Sequence, residues 1–100
     1  MNTRSLRSAD GTFRMLQPDA WARLADTISR WPRTRLVEQN ADSLRAECRS
    51  RVFGFVDDLT IERSGDIATA HAEARRGLYD FGVNARRLAH LRQQLRGVVS

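Results

Sequence analysis

From Ser43 to Arg75 apolar and polar residues alternate with a period of two, and on either side the period lengthens to that of a helix. Trp21, Leu24, Ala25 and Ile28 recur at i, i+3, i+4 and i+7, which puts them on one helical face. Pro18 suits the first position of that helix, Asp19 its first turn, and Pro32 stops it after Trp31. Thr34–Glu38 reads as a short strand closed by an Asn40-Ala41-Asp42 turn. In Ser43–Phe53, Leu44, Ala46, Cys48 and Val52 point one way while Arg45, Glu47, Arg49 and Arg51 point the other. That is the pattern of a half-buried antiparallel strand. Gly54 permits a bend, Asp57–Arg63 resumes with Leu59 and Ile61 on one face, and Ser64-Gly65-Asp66 is a hairpin turn. Ile67–Arg75 then sets Ala68, Ala70, Ala72 and Ala74 against Thr69, His71, Glu73 and Arg75. Small alanines on the core face let a helix approach the sheet closely.

The last periodic segment has Asn84 as its expected N-cap and Leu88, Leu91, Leu95 and Val98 on one face, which makes an amphipathic helix of about four turns. Residues 1–11 read as a loose polar tail, and Thr12–Leu16 as a short edge strand. Residues 12–100 then form one domain, in the order (β)-α-β-β-β-β-α. The expected architecture is a two-layer α+β sandwich, an antiparallel sheet of about four strands carrying two helices.

Composition fits one small domain: 100 residues, 41% hydrophobic and 29% charged, with six Gly and two Pro. No apolar run reaches the roughly 20 residues of a spanning helix, and Met1–Leu6 lacks the apolar core of a secretory signal. As written, the chain is expected in the cytoplasm; a start further upstream would admit the cell envelope. Cys48 is alone, so no internal disulfide forms, and its place in the alternation makes it a small core residue.

Charge changes the picture more. All 17 cationic side chains are Arg, against 12 carboxylates, for a formal +5. The surplus lies at the ends: residues 81–100 carry Arg86, Arg87, Arg92 and Arg96 and no acid. Such an end suits a small anion or an acidic protein. Nucleic acid is disfavoured, because strands rather than a second recognition helix precede the last helix. Its apolar stripe is better explained as core than as membrane anchors. The absence of Lys is explained as readily by codon usage as by binding.

Two stretches carry the candidate chemistry. Ala74–Leu88, ARRGLYDFGVNARRL, packs two glycines, Tyr79-Asp80-Phe81 and Asn84 between a strand and a helix. Arg86 and Arg87 fall in the first helical turn, where the macrodipole disfavours cations. Either carboxylates such as Asp57, Asp58 or Asp80 hold them, or they join the free N–H groups of the helix start in an anion site. The second stretch, Arg49–Asp58, ends in paired carboxylates. On a strand they point to opposite faces, so only one can serve a given site. His71 and Glu73 share a strand face but lack the third ligand a zinc site needs, and His90 reads as a core-margin residue. No metal or cofactor is expected. Asp80-Phe81-Gly82 matches a kinase tripeptide without any other kinase motif, so the match is chance.

RSRVFGFVDD and RRGLYDFGVNARR, with the upstream Trp31-Pro32-Arg33-Thr34, resemble the paired signatures of domain-of-unknown-function family 1499. The resemblance spans roughly residues 10–96. The family's signature positions fall on Arg49, Ser50, Phe53, Gly54, Phe55, Asp57, Asp58, Arg75, Gly77, Asp80, Gly82, Asn84 and Arg87. Members usually open with a segment carrying Cys-Pro and Asn-Cys pairs, absent here. Where members carry serines and an Arg before the second motif, this chain has His71, Ala72 and Ala74. The resemblance implies no activity.

The resulting expectation is a non-catalytic module that takes an anionic ligand or acidic partner near the start of the last helix. Its candidate residues are Arg49, Asp57, Asp58, Arg75, Asp80, Asn84, Arg86 and Arg87. The alternative is a structural or assembly domain in which the same Arg–Asp cluster only stabilises the fold. An enzyme ranks third, for want of a convincing nucleophile or base.

Overall fold

The alternating stretch becomes a continuous meander. A computed structural model describes residues 7–51, 54–77 and 79–100. Its elements are β1 (Ser8–Arg14), α1 (Ala20–Ser29), β2 (Thr34–Gln39), β3 (Ser43–Arg49), β4 (Val56–Ser64), β5 (Ile67–Ala74) and α2 (Val83–Gln94). The five strands form one antiparallel sheet in the order β1-β5-β4-β3-β2. Strands β2 to β5 follow one another through short turns, and α1 carries the chain from β1 at one edge to β2 at the other. The fold is the expected α+β layering, with five strands rather than about four.

Strand parity decides what each face does. Leu44, Ala46 and Cys48 on β3, Leu59 and Ile61 on β4, and Ala68, Ala70, Ala72 and Ala74 on β5 are buried on the helix side. Trp21, Leu24, Ala25 and Ile28 of α1 and Leu88 and Leu91 of α2 close over them. The opposite face carries Arg45, Glu47, Asp58, His71, Glu73 and Arg75 and meets water. Because β5 offers only methyl groups beneath α2, that helix settles close to the sheet, and its polar residues come within reach of β4.

Three expectations change. The tail is shorter, because Ser8–Gly11 lies in β1 and pairs with β5 from Ser8↔Glu73 onward. Its alternation is hard to see in sequence, since Ala9 and Gly11 bury little side chain. Residues 1–6 lie outside the described residues, as do Val52 and Phe53 of the expected longer β3. The last helix ends at Gln94 rather than running through Val98: Gly97 turns at φ 85°, and Val98 and Val99 reach the core from a reversed chain. The Val98 carbonyl accepts from the Leu16 amide and the Ser100 amide donates to Arg14, which ties the C-terminus to the end of β1. Asn84 is not the N-cap; that position is Gly82, at φ 77°.

The alanine face gives a direct test. Ala70 is fully buried, so Ala70→Leu should cost about 1–3 kcal/mol through overpacking. Thr69→Val, on the watery face, should stay within about 0.5 kcal/mol. Urea unfolding of the two variants checks the pair.

Candidate functional site

The sheet divides the candidate residues between its two faces. Asp57 has the parity of Leu59 and points at α2; Asp58 has the parity of Thr60 and points away. The expected single cluster is therefore two separate networks.

On the helix side, Arg87 Nη1 donates to Asp57 Oδ2 at 2.8 Å and also to Asn84 Oδ1. The Asn84 amide, fully buried, donates to the Arg7 carbonyl at 3.4 Å. The Arg87 and Asp57 side chains are only 15% and 14% exposed, so this pair is desolvated and mutually dependent. The need for an amide at this inward position explains why Asn84 sits inside the first turn instead of capping it. The cap comes from Asp80, whose carboxylate accepts from the amides of Gly82 (2.8 Å) and Asn84 (3.1 Å). Asp80 also supplies the negative charge that the macrodipole favours there. Asp80 thus already takes two of the amides, those of Gly82 and Asn84, that an external anion would meet at the helix start.

On the outer face, Arg75 makes a two-pronged contact with Asp58, Nε at 3.0 Å and Nη2 at 2.6 Å, and reaches Glu47 at 3.1 Å. Glu47 also accepts from Arg35 at 2.9 Å. Two cations and two carboxylates balance. The Arg35 and Arg75 contacts hold the Glu47 carboxyl below its ordinary range, and Asp58 and then Glu47 hold the Arg75 guanidinium above its own. Neither sequence stretch pointed to Glu47, although strand parity alone places Glu47, Asp58 and Arg75 on one face.

The remaining candidates, Arg49 and Arg86, line a groove between the start of β2 and α2. Its volume is about 320 Å³, within the range of small-ligand sites, and its walls include Trp31, Arg33, Arg87 and His90. A second groove of about 470 Å³ continues from it past Arg33 and Arg49 to Arg35 and Glu47. Arg33, Arg49 and Arg86 make no ion pair among the described residues. Trp31 and His90 form the aromatic wall, ring centroids 6.2 Å apart, and Trp31 is fixed by a 2.7 Å bond to Gln94. Arg33 adopts φ 53°, a conformation that costs a side-chain-bearing residue backbone energy. Cys48 lies at the floor, where burial pushes its thiol up and leaves it protonated and unreactive. Among the described residues no cluster of three or more His, Cys, Asp or Glu is placed to hold a metal. His71, a considered ligand, pairs with Asp10 at 2.7 Å. Arg33 is not among the residues expected from sequence, because a turn arginine after a proline carries no periodic signal.

A family model described as a protein of unknown function, DUF1499, matches residues 5–95. No curated protein matches the chain. No helix among the described residues is long and apolar enough to cross a membrane.

The two networks should respond differently. Arg87→Gln leaves Asp57 buried and unpaired, and should cost about 3 kcal/mol of unfolding free energy. Arg75→Gln, at a site 47% exposed and screened by water, should cost far less than Arg87→Gln. Since Glu47 is held below its ordinary range, its contribution is complete above that range and is lost as pH falls through and below it. Glu47→Gln should therefore flatten the acid limb of a stability–pH curve, measured by urea unfolding from neutral pH downward.

Proposed function

The chain belongs to the DUF1499 family, and from that premise we propose that it is a non-catalytic binding module for a small ligand bearing a phosphate or carboxylate, seated in the groove beside α2. One observation carries the reading: Arg33 of the α1–β2 turn, Arg49 of β3 and Arg86 of α2 come together at one groove, and none has a carboxylate partner among the described residues. Grouping cations without counter-charge is unfavourable in the absence of an anion. Arginine's fork geometry suits a two-pronged contact with phosphate or carboxylate. The left-handed backbone at Arg33 points the same way, since strain of this kind concentrates at ligand clamps. The Trp31–His90 wall offers two aromatic rings, tilted by 34°, to whatever the anionic group is attached to.

The structural alternative describes a different subset of residues. Asp57, Asp58, Arg75, Asp80 and Arg87 already hold one another or the helix start. Their role is to fix α2 and the sheet end, so no ligand should restore a protein weakened at Arg87.

A thermal-shift series with phosphate, sulfate and carboxylate ligands at constant ionic strength tests the reading. At least one anion should raise the melting temperature of the full chain, and Arg49→Gln with Arg86→Gln should abolish the rise. Arg33→Gly should leave unliganded stability within about 1 kcal/mol, because relief of left-handed strain offsets added freedom in the unfolded chain. It should still weaken the ligand response. A response that survives all three substitutions would overturn the assignment.

A further inference from the structure

The groove leaves one conspicuous group of residues unused. The β3–β4 and β5–α2 loops emerge at the same end of the sheet, joined where the Arg75 amide donates to the Val56 carbonyl at 2.9 Å. They display three large apolar side chains: Phe55 is 58% exposed, Tyr79 56% and Phe81 81%. Phe81 is doubly anomalous. It sits at φ 54° beside Gly82 at φ 77°, and the Val83 amide closes back on the Asp80 carbonyl at 3.0 Å. Positive φ at both central residues marks a type I′ turn, whose first central position favours Asn, Asp or Gly. A phenylalanine there gains nothing from burial and strains the backbone, so the fold does not account for it.

The charges around these rings are one-sided. The two loops carry Arg51 and Arg76, both exposed and without an ion pair among the described residues. The carboxylates at this end are all engaged: Asp57 by Arg87, Asp58 by Arg75, and Asp80 by the helix amides. Exposed aromatics flanked by uncompensated arginines form a surface complementary to an anionic bilayer, where rings enter the headgroup layer and cations meet lipid phosphates. Tyr79 and Phe81 lean on each other, centroids 5.8 Å apart and tilted 31°, as one compact tip. Neither lines the arginine groove. Base stacking instead uses separate rings along a basic channel.

We propose that the tip formed by Tyr79 and Phe81, with Arg51 and Arg76 on the loops at the same end of the sheet, docks the domain peripherally on an anionic membrane surface. The inference is independent of the groove, so a failure of phosphate to bind there leaves it standing.

Co-sedimentation of the full chain with lipid vesicles tests it. The protein should pellet with phosphatidylcholine vesicles containing phosphatidylglycerol and remain in solution with phosphatidylcholine alone. Phe81→Gly removes the ring while suiting the backbone, so it should weaken partitioning about tenfold with the melting temperature unchanged. Tyr79→Ser should act similarly from an unstrained position. Arg51→Gln with Arg76→Gln should lower binding at low salt. The proposal is overturned if wild type ignores anionic vesicles, or if both ring variants pellet like wild type, which would leave only diffuse attraction to a +5 chain. It is also overturned if Phe81→Gly abolishes binding to a single-stranded oligonucleotide while vesicle binding persists.

Discussion

The partly buried contact between Arg87 and Asp57 is the constraint on which the rest of this architecture depends. It joins the second turn of α2 to the second residue of β4, with Asn84 completing the network. Burying a single charge at that depth would be prohibitive, and the pair exists only because the facing β5 alanines let the helix come close. Once α2 is fixed, Asp80 lies where it can cap the helix, and Arg86, next along the chain, is turned toward the groove. Fold and candidate site are thus set by the same contact.

The strand period sorts the other charges. Adjacent carboxylates at 57 and 58 look like one acidic pair in sequence, but a half-period separates them across the sheet. One holds a helix and the other joins the solvent-facing network with Arg75, Glu47 and Arg35. Most of the sheet arginines are neutralised in this way. Of the arginines without an ion pair among the described residues, Arg33, Arg49 and Arg86 line the groove beside Trp31, Arg51 and Arg76 stand on the loops at one end, Arg63 and Arg92 lie over the rings of Trp21 and Phe13, and Arg23 and Arg96 lie elsewhere. The formal surplus of +5 says little by itself; the positions left without partners carry the functional reading.

Much of this was legible in the chain. The helix at Trp21–Ile28, the four-strand meander and the inward alanines followed from periodicity, because burial on one face leaves a direct imprint on residue order. The rule that Asp57 and Asp58 cannot share a face was equally available. Less legible was β1, whose small inward residues blur the alternation. Asn84 was also misassigned: a residue suited to capping was drawn inward by partners 3 and 77 positions away. The groove was invisible for a related reason, since Arg33, Arg49 and Arg86 come together only through sheet order and helix placement.

The proposed function divides the arginines into a structural set and a ligand-facing set. An NMR titration of the arginine side-chain Nε–H resonances with inorganic phosphate measures that division directly. Arg33, Arg49 and Arg86 should shift together along one saturating curve, while Arg75 and Arg87 stay in place. Uniform small shifts across all the arginines, or saturation at Arg75 or Arg87 with Arg33, Arg49 and Arg86 unmoved, would contradict it.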